Sequence, residues 1–118
     1  MIYYFEKLEI WQLSIELSIA IYKRTKDFPS EERYGITSQL RRSITSVSAN
    51  IAEGSSRIGL KDKARFFQIA YSSLMEVLNF IILSEKLLFI NTDELASFRV
   101  TLEELSNKIN AYHKKIPV

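Results

Sequence analysis

The sequence predicts an all-α fold, an antiparallel up-down-up-down four-helix bundle in a single domain spanning residues 1–118. Three observations predict it. Apolar residues recur at 3–4 spacing along four long segments, the signature of a helix with one buried face. Glycine and proline number only three and two, and all five (Pro29, Gly35, Gly54, Gly59, Pro117) fall near the boundaries that the apolar pattern sets. No Asn-Gly or Gly-rich hairpin turn breaks the chain, so an all-β reading has no support.

The first helix is expected over 7–27. Leu8, Trp11, Ile15, Ile19 and Tyr22 form one stripe and Ile10, Leu17 and Ile21 a second, which implies a wide buried arc. Phe28-Pro29 ends it, because proline disfavours helix in the residue before it, and Ser30 can cap the second helix. That helix is expected over 30–56, with Ile36, Leu40, Ile44, Val47 and Ile51 inward and Gly54 as a C-terminal stop. Its opposite side carries Ser38, Arg42, Thr45, Ser46, Ala49 and Ala52, mostly small enough for another backbone to come close.

The third helix is expected over 60–89. Leu60, Ala64, Phe67, Tyr71, Leu74, Leu78, Ile81 and Leu88 fit a heptad that Glu85 interrupts, and Phe66, Ala70, Val77, Phe80 and Leu87 make a second stripe. One bundle core needs about three positions in seven, so the excess points to a second buried surface, most simply a subunit interface. The fourth is expected over 92–115, with Leu95, Phe98, Leu102, Leu105, Ile109, Tyr112 and Ile116 inward, an Asn91/Glu94 capping box and Lys114-Lys115 at the negative dipole end. Helices of this length run roughly 30–45 Å, and short connections make neighbours antiparallel.

Composition narrows the function. With no cysteine there is no disulfide, thiolate metal site or cysteine nucleophile, and one histidine, His113, excludes any site needing two imidazoles. The di-metal chemistry of four-helix bundles uses Glu-x-x-His, which is absent. No Walker or dinucleotide glycine pattern occurs, and Ser55-Ser56 and Ser72-Ser73 have no histidine base nearby in sequence. The expectation is therefore no enzyme, no metal and no cofactor. Residues 1–7 do not read as a secretory signal. The greasy run 74–90 carries Glu76, Glu85 and Lys86 and reads as a buried helix rather than a bilayer span, leaving a cytoplasmic protein as the default.

Charge is uneven. The chain carries +2 overall, yet between Arg33 and Arg65 seven basic residues face two acidic ones. Arg41, Arg42, Arg57, Lys61, Lys63 and Arg65 are the candidates for contact with an RNA or DNA backbone, since phosphates reward many weak cationic contacts. The bland reading is solvated or locally paired charge. Arg42, Asn50, Glu53, Ser73 and Glu76 are expected to form a structural polar network rather than a catalytic one. Arg42 and Glu53, eleven residues apart, stand about 16 Å from each other along a helix and cannot touch; each is expected to pair across to the third helix or a neighbouring subunit. Trp11, Tyr22, Phe67 and Tyr71 could stack bases, but their heptad positions favour the core. The exposed-looking start, Met1 to Phe5, is expected to dock on a neighbouring subunit.

The run Gln39-Leu40-Arg41-Arg42-Ser43-Ile44-Thr45-Ser46-Val47-Ser48-Ala49-Asn50-Ile51-Ala52-Glu53-Gly54 resembles the signature of the four-helix proteins encoded by intervening sequences of bacterial 23S rRNA genes. Supporting pieces are Phe5, Leu8 and Trp11; Tyr22 and Phe28-Pro29; Glu32 and Tyr34-Gly35; Phe67-Gln68-Ile69-Ala70; and Ser73-Leu74-Met75-Glu76. Ser43 stands where the family often has Ala, and Ser72 where it often has Gly. The resemblance implies a protomer that assembles into a homopentamer, without known catalysis. A relative, the accessory protein of diversity-generating retroelements, looks like the same architecture and binds nucleic acid through basic surfaces. The function expected is thus a homo-oligomeric bundle that binds RNA or DNA. The competing expectation is an assembly scaffold for a protein partner.

Overall fold

The computed structural model describes all 118 residues. A one-turn 3-10 helix (Tyr4–Lys7) leads into α1 (Glu9–Thr25); a second (Ser30–Glu32) precedes α2 (Ile36–Ser56); α3 (Leu60–Lys86) and α4 (Thr92–Lys114) complete the chain. The molecule measures 43 × 25 × 23 Å. A 27-residue α3 is about 40 Å long, so the helices lie along the long axis, and the short connections at 57–59 and 87–91 reverse the chain each time. Contacts run α1 to α2, α2 to α3, α3 to α4 and α1 to α4, with none across either diagonal. That is a four-cornered bundle in chain order.

The core is the inner face of all four helices. Ile21, Ile44, Val47, Ile51, Phe67, Ala70, Leu74, Val77, Leu105 and Ile109 are fully buried, each larger side chain contributing roughly 1.5–3 kcal/mol. The small polar residues among them bond within their own helix. Ser14 donates to Trp11 O at 2.6 Å, Ser43 to Leu40 O at 3.0 Å and Ser84 to Phe80 O at 2.7 Å. No buried side-chain polar atom lacks a partner, which removes the main penalty for burying them. Over an 18-residue window α3 is apolar enough to cross a bilayer by composition. Here Phe67, Leu74 and Val77 are fully buried between α2 and α4.

Several local expectations are corrected. Only the second stripe of α1 (Ile10, Leu17, Ile21) is buried; Ile19 and Tyr22 of the first remain exposed, because α1 contacts α2 and α4 but not α3. Ser30 does not cap α2. It opens the short 3-10 turn, and α2 begins after Gly35, where the Glu32 carboxylate accepts from the Ile36 amide at 3.2 Å. Gly54 lies inside α2 rather than ending it. A Cβ there would sit 2.8 Å from Phe66 Cβ and 3.2 Å from the Phe67 ring, so it is a close-approach glycine between α2 and α3. α3 stops at Lys86, three residues early, because Leu88 takes φ 65°. The Phe89 amide then donates to Ser84 O at 2.8 Å and the Leu88 amide to Glu85 O at 3.0 Å, a Schellman ending made without glycine. At α4 the Asn91/Glu94 capping box forms in both directions, at 2.8 and 3.0 Å.

Candidate nucleic-acid interface

Antiparallel packing brings the start of α1, the end of α2, the start of α3 and the end of α4 to one end of the bundle. Three of the candidate cations meet there on the α2–α3 corner: Arg57, Lys61 and Arg65. Arg57 extends back to Glu53 (3.5 Å) and forward to Asp62 (3.6 Å), and Arg65 reaches the same Asp62 at 3.5 Å. Both guanidinium groups lie over the Phe66 ring, with Cζ 4.6 Å and 5.0 Å from its centroid. The buried Phe66 is therefore a plate that orients two cations, an arrangement worth about 0.5–1 kcal/mol per contact at an exposed site. Lys61 is exposed and has no carboxylate partner.

These ion pairs are half-exposed and 3.5–3.6 Å long. Pairs of that kind contribute about 0–1 kcal/mol, so releasing either guanidinium from Glu53 or Asp62 costs little. Lys7, Lys114 and Lys115 sit at this same end of the bundle, where α1 begins and α4 ends.

The remaining candidates are placed elsewhere or engaged. Lys63 donates to Ser55 O at 3.4 Å, tying α3 to the last turn of α2. Arg41 lies near the other end of α2, sixteen residues or about 24 Å from Arg57. Its Nε donates to Thr25 Oγ1 at 2.9 Å and its Nη2 to Tyr22 O at 3.3 Å, with the guanidinium 4.7 Å from the Tyr22 ring centroid. It fastens α2 to α1. Arg42, next to it, is exposed and unpaired. The six cations that are close in sequence thus divide between the first turns of α2 and the α2–α3 corner.

The expected polar network divides as well. Asn50 donates to Ser46 O at 2.8 Å and to Ser46 Oγ at 3.0 Å, and Ser46 and Ser73 hydroxyls meet at 2.9 Å, linking α2 to α3. Glu76 lines a shallow groove with Ser73 and Arg65 but makes no hydrogen bond. Glu53 pairs with Arg57 of its own segment, not across the bundle, and Arg42 takes no part.

Two features have no signal in the sequence. Arg24 pairs with Glu94 through Nε and donates to Phe89 O at 2.8 Å. The hydrogen bond from Arg24, with help from the Asn91 amide, holds the Glu94 carboxyl below its usual range. The partners are seventy residues apart, so no local pattern announces them. The second is a groove of about 450 Å³ between Tyr3, Tyr4 and Phe5 and the end of α2 at Ala52, Glu53, Ser55 and Ser56. The apolar start of the chain was legible; the surface it lies against was not. A concavity of about 600 Å³ between α1 and α4 is lined by Leu13, Leu17 and Phe98 and by polar side chains that include Arg24, Asp27 and Glu94. No three His, Asp or Glu side chains converge anywhere on a common point.

Comparison with known proteins gives two findings. The family model described as 23S rRNA-intervening sequence protein matches residues 6–111. A crystal structure from Bacteroides thetaiotaomicron, described as a protein with unknown function from the S23 ribosomal protein family, superimposes with a TM-score of 0.83 at 21% sequence identity. The match covers 90% of this chain and 96% of that one. No curated protein matches.

Proposed function

The chain belongs to the 23S rRNA-intervening sequence protein family, and from that premise we propose that it is a non-enzymatic, homo-oligomeric protein that binds the phosphate backbone of RNA or DNA at the α2–α3 corner. The observation that supports this most is the pair of arginines, Arg57 and Arg65, held over one aromatic ring beside the unpaired Lys61. Orienting cations on a plate, with only weak carboxylate partners, suits exchange onto phosphate. Phosphate contacts carry no base sequence, so binding is general. A homopentamer, the assembly that the family resemblance implies, would repeat the corner five times and multiply a modest local charge. The protein acts in the cytoplasm on this reading.

The test is fluorescence anisotropy with short RNA and DNA at several salt concentrations, alongside sedimentation. Affinity should fall steeply with salt, the logarithmic slope counting the phosphates neutralised. The triple variant Arg57→Glu/Lys61→Glu/Arg65→Glu should abolish binding while staying folded, since all three side chains are exposed. Absence of binding at low salt overturns the reading and leaves the protein-scaffold alternative. A monomer at micromolar concentration overturns the oligomer.

A further inference from the structure

We infer that the nucleic acid taken by the α2–α3 corner is single-stranded, its unpaired bases stacking on Tyr3 in the groove beside the cations. The inference rests on the proposed function and names its substrate class. Tyr3 and Tyr4 are 64% and 60% exposed, although a tyrosine gains by burying its ring. The segment that carries them is nevertheless well anchored. The Tyr3 amide donates to the Glu6 carboxylate at 2.8 Å, Gln12 Nε2 donates to Glu6 O at 2.9 Å, and Tyr4 and Tyr112 hydroxyls stand 3.5 Å apart.

The rings are also aligned. Tyr3 lies nearly parallel to Phe5, at 6.4 Å and 12°, and Phe5 meets Trp11 edge-on at 5.2 Å. Tyr3 is the outer end of an aromatic row whose inner end is half-buried. A planar base placed against its free face extends that row. Across the groove the α2 side is lined by Ala52, Ser55 and Ser56, small residues in a space of about 450 Å³. Glu53 lines the groove as well and stands 3.5 Å from Arg57, so one residue joins the stacking site to the phosphate site.

An aromatic plate next to a cationic track is what binding of single strands requires. Every base offers a π-face, while the bases of a duplex are already stacked and cannot reach Tyr3. A smooth duplex would use the cations alone.

The experiment compares a labelled single-stranded oligonucleotide of about a dozen nucleotides with a hairpin duplex carrying the same number of phosphates. The wild type should prefer the single strand about tenfold. Tyr3→Ala should lower single-strand affinity about tenfold, each stacked base being worth that order, with an unchanged salt slope and unchanged duplex binding. Tyr3→Trp should restore affinity and show emission quenched on binding. Equal or tighter duplex binding, or a Tyr3→Ala variant that binds the single strand as the wild type does, overturns the inference but leaves the phosphate reading standing. A Tyr3→Ala variant that changes sedimentation mass also overturns it, assigning the ring to a subunit contact. Loss of all binding in the wild type sinks both.

Discussion

Gly54→Ala is the sharpest test of how α2 and α3 are packed. In an exposed helix interior this change stabilises by about 1 kcal/mol, because alanine restricts the unfolded chain and favours helix. Here the new methyl would lie 2.8 Å from Phe66 Cβ and within 3.2–3.3 Å of two Phe67 ring carbons. Phe66 Cβ is fixed to the backbone and cannot swing aside, and Phe67 is fully buried in the core. The helices must therefore separate by several tenths of an ångström along their most extensive contact. Overpacking of this kind costs about 1–3 kcal/mol. Set against the helical gain, the expected net loss is about 1 kcal/mol, and a clash at the upper end would make it about 2 kcal/mol. Urea unfolding followed by circular dichroism should show the midpoint lowered by roughly 0.5–1 M with an unchanged slope. The thermal midpoint should fall by roughly 4 °C per kcal/mol for a domain of this size. A midpoint that rises would refute the close approach and with it the placement of Phe66 as the plate beneath Arg57 and Arg65.

Three further outcomes are expected. Glu94→Ala removes both the partner of Arg24 and half of the α4 capping box, and should destabilise by about 1–2 kcal/mol. Because the native Glu94 pKa is lowered, its contribution is present above the unfolded value of about 4.3 and lost as pH falls through the native one; acid titrations of wild type and variant should converge below that range. Burial, with the Tyr4 hydroxyl beside it, pushes the Tyr112 phenol up to about 12, so its contribution is present below the unfolded value near 10 and lost as pH rises toward 12. Alkaline unfolding curves should be flatter for Tyr112→Phe; identical slopes would show the phenol to be in solvent. Leu88→Gly should raise stability by about 0.5–1 kcal/mol, since the φ of 65° strains any residue with a Cβ and the side chain is 88% exposed. A loss of stability in that variant, measured by urea unfolding, would mean that Leu88 is buried in an assembly.

The existence and order of the four helices were legible because their cause is local. Apolar spacing at Leu40, Ile44, Val47 and Ile51, or at Leu102, Leu105 and Ile109, reports which side of a helix will leave water, and the Asn91/Glu94 cap is complete within four residues. Family membership was legible for the same reason, since the Asn50–Gly54 string and its surroundings are read directly along the chain. What the sequence could not contain is which elements become neighbours. Gly54 reads as a stop until Phe66 is found against it, and Arg41 reads as a free cation until Thr25 and Tyr22 of α1 are found beneath it. Two apolar stripes of α1 look equally fit for burial, and only the packing of α1 against α2 and α4 selects Ile21 over Ile19. The basic residues from Arg41 to Arg65 form one cluster in the one dimension of sequence. Folding sends them to the first turns of α2 and to the α2–α3 corner, and brings Tyr3, some fifty residues away, to the groove that Glu53, the partner of Arg57, also lines. Periodicity fixes the face of each helix from within; a site is made where faces from distant segments meet, and that is decided by their packing.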